Sequence, residues 1–130
     1  MKPLAHSATY VESTATEIHE IIATLVHDLG ASMVQTMAGT KDATAPHRWA
    51  HPGGTGPKFV EEQRLRLGYR VWLSLVPQRE VREAAEWLGA ANHELNGQSP
   101  TIFIQQLHTR EIVALAEAFA ADLTGVRSLA

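Results

Sequence analysis

His47 and His51 stand four residues apart, a spacing that puts two imidazoles on one helix face as paired metal-binding histidines are. No glutamate lies between them in the order of a zinc hydrolase, and no third ligand is indicated. Two polar surface histidines is the simpler reading, so no metal is expected. Serine, histidine and carboxylates all occur, but no serine sits in a nucleophile elbow. The run Gly53-Gly54-Thr55-Gly56 lacks the lysine of a phosphate loop and the strand that should precede it. Without cysteine the chain has no thiol nucleophile, disulfide or thiolate metal site. Neither catalysis nor a cofactor is expected, so the chain does not read as an enzyme.

A second constellation suits nucleic acid. A short helix from about Ala31 to Ala38, a turn at Gly39 and a second short helix from about Ala43 to Ala50 make a helix-turn-helix pattern. Val34, Met37 and Trp49 would lock the two helices together. That leaves Lys41, Thr44, His47 and Arg48 as candidate DNA contacts, reading base edges or holding phosphates. Asp42 on the same side repels phosphate, and Pro46 is tolerable only in the helix's first turn. Two helices packed for stability alone is the competing reading.

Charge points the same way. Between Lys41 and Arg82 eight basic residues face four acidic ones, a net +4, and the remainder carries −7 to give −3 overall. Such segregation suggests a surface that meets a polyanion, or else an arginine-rich solvated helix face.

The elements that must position these residues follow from periodicity. With 130 residues, 45% hydrophobic and 19% charged, the chain has the balance of an ordinary globular protein with a core of its own. The longest uncharged stretch, Leu29 to Thr40, is too short and polar to cross a bilayer. The opening Met1-Lys2-Pro3-Leu4-Ala5-His6 lacks a hydrophobic signal core, so a cytoplasmic location is expected. The first dozen residues show no period and are expected to fray. Thr14 with Glu17 fits a capping box, followed by Ile18, Ile21, Ile22, Leu25, Val26 and Leu29 at helical spacing up to Gly30. Pro52 to Pro57 form a linker, and Pro57 can open the next helix, with Leu65, Tyr69, Trp72, Leu73 and Val76 as its buried stripe. Pro77 ends it. A helix from about Gln78 to Leu88 should bury Val81, Ala84, Ala85 and Leu88. Asn96-Gly97 marks a turn and Ser99-Pro100 a helix start, which favours a helix over a strand for Ile102-Phe103-Ile104. Ile112, Leu115, Ala116, Phe119 and Leu123 define the last amphipathic helix. The fold class is all-α.

Two stretches also carry a family resemblance. Leu29-Gly30-Ala31-Ser32-Met33-Val34-Gln35-Thr36-Met37-Ala38-Gly39, Arg48-Trp49-Ala50 and Arg66-Leu67-Gly68-Tyr69-Arg70-Val71-Trp72 resemble the N-terminal half of Xre-type antitoxins. Ala85-Glu86-Trp87-Leu88, Asn92, Leu95-Asn96-Gly97, Ser99-Pro100 and Val113 resemble the Xre/MbcA/ParS toxin-binding domain. Ala91 stands where that family usually has proline, and Leu107-His108 where a glycine-containing turn is expected.

The resemblance implies a helix-turn-helix domain over 14–77 and a toxin-binding domain over 78–130. It also implies an antitoxin that blocks a RES-domain toxin, an enzyme that destroys NAD⁺, and that binds its own operator DNA. Trp87 and Asn92, with Arg127 and Ser128 in the tail after Gly125, are then the toxin-binding candidates. Phe103 is a further candidate anchor. The alternative is a stand-alone helix-turn-helix regulator whose C-terminal half serves self-association. A homodimer is expected in either case, because the stripe from Phe59 to Val76 has more large apolar residues than one short neighbour covers. Light scattering at micromolar concentration should then give about twice the chain mass of 14.2 kDa, and a clean monomer would count against it.

Overall fold

The computed structural model describes residues 5–122, and these are helical, with no strand among them. The order is α1 (Ala5–Ala15), α2 (Ile18–Leu29), α3 (Ala31–Ala38), α4 (Ala45–Trp49), α5 (Phe59–Leu75), α6 (Val81–Gly89), a 3₁₀ turn (His93–Leu95), α7 (Pro100–Gln105) and α8 (Thr109–Ala121). None of these helices is long and apolar enough to cross a membrane.

The 17-residue α5 is the axis of the fold. α1, α2, α3, α7 and α8 all pack on it. Its Leu65, Leu67, Tyr69, Val71, Trp72 and Leu75 are buried, in one cluster with Ile21, Ile22 and Leu25 of α2, Val34 and Met37 of α3, and Ile112 and Ala116 of α8. Gly68 permits the closest approach, since a β-carbon there would collide with Met37 Sδ. Trp72 donates its indole N–H to Asp28 Oδ2 at 2.8 Å, joining α5 to the end of α2. The core runs without a break from residues before position 77 to residues after it.

Several local expectations hold. α3 spans the expected residues, and Gly39 leaves it at φ 79°. Pro46 lies in the first turn of α4. Ser99 caps α7 by accepting from Ile102 N–H at 3.2 Å, and Asn96 and Gly97 turn the chain at φ 57° and 87°. Gly30, at φ 91°, ends α2 and opens α3, so the two helices meet with no loop between them.

Other expectations need correction. Residues near the start do not fray in the structure: Ala5–Ala15 form α1 and lie along α5. The helix has a mostly polar sequence and is held by capping and stacking rather than by an apolar stripe, which is why periodicity missed it. Thr14 lies inside it, its hydroxyl donating to Val11 O at 3.0 Å, while Glu17 precedes α2 without a side-chain cap. No capping box joins them. Lys41 to Thr44 form a turn before α4, which covers only Ala45–Trp49. Lys58 and not Pro57 is the residue ahead of α5, and Glu61 accepts from its backbone N–H at 2.9 Å. Val81 is 46% exposed, because the buried side of α6 is built from Ala84 and Leu88. Leu123 lies outside the described residues. The stripe of α5 is covered by helices of the same chain. Only Phe59 and Val60 at its start are left open, at 76% and 41% exposure.

The contact between Gly68 and Met37 gives a stability test. Gly68→Ala overpacks a buried site at a cost of about 1–3 kcal/mol, and the better helix propensity of alanine returns about 1 kcal/mol. Urea denaturation should show a net loss; a more stable variant would mean that α3 and α5 are not in close contact.

Candidate functional site

The basic segment is placed by function of a different kind than its charge suggested. The last carbonyls of a helix have no partner within it, and a cation there also suits the helix dipole. Arg66 on α5 donates to Ser13 O (3.0 Å) and Thr16 O (2.7 Å) at the end of α1, while Glu62 holds its Nε at 2.9 Å. Arg64 donates to Ala38 O at 2.8 Å at the end of α3. Arg79 donates to Phe119 O at 2.7 Å and to Asp122 O at the end of α8. Arg70 stacks on Tyr10, 5.3 Å from the ring centre. Four arginines are thus spent inside the fold, and the expected polyanion-facing surface shrinks accordingly.

Of the segment's other four cations, Lys58 precedes α5 and Arg82 lies on α6, while Lys41 and Arg48 belong to the turn before α4 and to α4 itself. Lys41, Thr44, His47 and Arg48 are all exposed, as is Asp42. The Asp42 carboxylate accepts from the Thr44 hydroxyl (2.8 Å) and backbone N–H (2.9 Å), and from Arg48 Nη1 (2.9 Å). Arg48 Nη1 also reaches Thr44 Oγ1 at 2.7 Å. The two hydrogen bonds from Thr44, with Arg48 beside them, lower the Asp42 pKa from 3.8 to about 2. Asp42 therefore stays ionised through the neutral range, and the contribution of this network is lost only as pH falls toward 2. Arg48 is neutralised by its own neighbour. Lys41 and His47 are drawn into no such network. His47 and His51 line an open cleft of about 410 Å³ with Arg48, Gly54 and Thr55, and His51 Nδ1 lies 2.9 Å from His47 O. No group of three metal-ligating side chains occurs among the described residues.

The second half has its own cluster. Trp87 is half-buried and stacks on Phe119 with ring centres 4.9 Å apart at 11°. Arg79 covers the same Phe119 ring, its Cζ 4.4 Å from the centre, and pairs with Glu83 at 3.1 Å. Asn92 serves the backbone: its Oδ1 accepts from Glu94 N–H at 2.8 Å and shapes the 3₁₀ turn. Phe103 is half-buried and tilts against His108, 4.8 Å away. Arg127 and Ser128 lie outside the described residues. The joint of Arg79, Phe119 and Trp87 was not foreseen, because forty residues separate Arg79 from Phe119 in sequence. Phe119 was legible as an apolar position, but nothing linear links it to an arginine after Pro77.

The Asp42 network yields an electrostatic prediction. Asp42→Asn should strengthen binding to duplex DNA and steepen its salt dependence by roughly one unit, whereas Lys41→Ala should lower the slope by about one. Filter binding across a salt series reads both. Equal slopes in all three proteins would remove this turn from any DNA interface.

Comparison with known proteins supplies a likeness of fold. No family model matches the chain, and no curated protein sequence matches it. Among solved structures, a chain from the crystal structure of the M. tuberculosis MbcT-MbcA toxin-antitoxin complex superposes with a TM-score of 0.68 at 19% sequence identity. The match covers 84% of this chain and 98% of that one, so the two share an all-helical fold over nearly the whole of the neighbour.

Proposed function

We propose that this chain is an antitoxin that binds and inhibits a RES-domain, NAD⁺-degrading toxin, and that the helices around Arg79, Trp87 and Phe119 form the toxin-facing half. The observation that carries the proposal is the fold likeness over 98% of a chain taken from a toxin–antitoxin complex. The motif resemblance chooses the antitoxin side of that pair. Ser99, Asn96-Gly97, Leu88, Leu95 and Val113, which carry that motif, act as cap, turn and core here. Their spacing is thus maintained by folding.

The division at 77/78 is proposed as one of labour, since a single core serves both sides. On this reading Trp87 contributes the anchor, as aromatic side chains do in many interfaces. Asn92 contributes indirectly, through the turn that it caps. Arg127 and Ser128 belong to the segment proposed to enter the toxin's pocket. Operator binding through Lys41, Thr44 and His47 is the second activity proposed, with Arg48 available once Asp42 releases it. A homodimer would pair two such turns across a two-fold site. Its apolar contact would centre on Phe59 and Val60.

The stand-alone regulator is the alternative, favoured by the exposed Lys41 and His47 on the turn and short helix. Capture with the tagged full chain from its source cells, followed by mass spectrometry, separates the two. A co-purified RES-domain enzyme supports the antitoxin; its absence, with promoter binding intact, supports the regulator. Deleting Arg127 to Ala130 should weaken inhibition of NAD⁺ consumption while complex formation persists. Unchanged inhibition would move the blocking role to the helical surface.

A further inference from the structure

Between α1, α5 and the corner joining α7 to α8 lies a cleft of about 340 Å³, which neither toxin nor DNA binding uses. Gln63, Arg66, Leu67 and Arg70 line it from α5, at the spacing of a single helix face. Tyr10 of α1 and Leu107 of the α7–α8 corner add aromatic and aliphatic surface. A cleft of this volume lies at the lower end of the range that small-molecule sites occupy.

The polar groups around it are not equivalent. Arg66 is committed, its Nε to Glu62 at 2.9 Å and its Nη1 to Ser13 O and Thr16 O at the end of α1. The hydroxyls of Ser13, Thr14 and Thr109 each donate to a backbone carbonyl of their own segment. Arg70 is different. It stacks on Tyr10, 5.3 Å from the ring centre, yet makes no hydrogen bond or ion pair with any described residue. Its Nε is also closed to solvent and has no partner. An enclosed donor without an acceptor is costly, and a guanidinium carries its donors in one fixed plane. Gln63, exposed on the same stripe, likewise has its amide in no hydrogen bond among the described residues.

Leu107 supplies an independent observation. Its φ of 59° lies in a region that glycine enters freely and leucine rarely. Asn96, the other non-glycine residue at positive φ among those described, is of a type that tolerates it. A leucine held at such a turn implies a use for its side chain, which packs at the edge of the core and lines the cleft.

We propose that this cleft binds a small organic anion: a carboxylate or phosphate held by Arg70 and Gln63, on an apolar body that lies against Tyr10, Leu67 and Leu107. A guanidinium fork matches either head group with two parallel N–H···O bonds. The charge of Arg66 is balanced by Glu62, so Arg70 is the uncompensated cation of the α5 stripe. One such cation suits a ligand with a single anionic head. The site is independent of the antitoxin reading.

Benzoate, phenyl phosphate, inorganic phosphate and benzyl alcohol are the probes, titrated into the isotope-labelled full chain and followed by NMR. Benzoate or phenyl phosphate should shift the Arg70 Nε–H and Gln63 amide signals saturably, and the tighter of the two identifies the head group. Inorganic phosphate lacks the apolar body and benzyl alcohol the charge, so each should bind about tenfold more weakly. Equal affinity for either control, or no saturable shift with either organic anion, overturns the proposal. Arg70→Gln should weaken the better probe about tenfold, and unchanged affinity overturns the site. Leu107→Gly relieves the backbone but removes apolar surface, and should also weaken that probe; unchanged affinity removes Leu107 from the site. Arg70→Gln also loses a stack that holds α1, so Gln63→Glu gives a second test at an exposed position. Its carboxylate should repel the anion without lowering the melting temperature. Full affinity in that folded variant overturns the proposal as well.

Discussion

Every α-helix ends with backbone carbonyls that lack a partner in the helix, and a bundle of short helices multiplies such ends. Here side chains from elsewhere meet that demand. Arg66 closes α1, Arg64 and Gln105 close α3, Thr101 closes α6 through Leu88 O, and Arg79 closes α8. A hydrogen bond from a charged donor contributes about 1.5–3 kcal/mol, against about 0.5–1.5 for a neutral one. Helices of six to thirteen residues have little stability alone. Long-range capping makes each of them depend on the others, with α5 and the corner after it providing three of the arginines.

That arrangement also changes the meaning of the charge. A segment that is +4 by sequence exposes far less free positive charge, because arginines at 64, 66 and 79 point at carbonyls and Arg48 points at Asp42. Net charge describes the field felt at long range, whereas a phosphate needs donors that are unoccupied. Lys41 on the turn before α4 and His47 on α4 itself meet that requirement best.

The helix-forming stretches were legible where apolar residues recur at helical spacing, as in α2, α5 and α8, and where punctuation is chemically strict. Gly39 and Ser99-Pro100 are of that second kind: one requires a positive φ, and the other combines a side-chain cap with a fixed φ. What stayed hidden was held by contacts between distant residues. α1 has a polar sequence and is fixed by Arg66 and Tyr10; the joint of Arg79, Phe119 and Trp87 joins positions forty residues apart. Asp42 was visible as a charge opposing phosphate, but its hold on Arg48 depends on the turn that brings position 42 back to position 48. Sequence spacing reports local geometry well and long-range capping hardly at all.

Gly30 makes the junction of α2 and α3 unusually demanding. One residue serves as the end of one helix and the start of the next, and α3 is closed at its far end by Gly39 beneath Arg64. There is no slack on either side. A residue inserted within α3 would turn everything after it by about 100°, carrying Met37 off the face that meets Gly68. The linker at Pro52 to Pro57, by contrast, can change length without rotating a helix already docked. Lineages of this fold should therefore vary freely in length between α4 and α5, and hardly at all between Ile18 and Gly39.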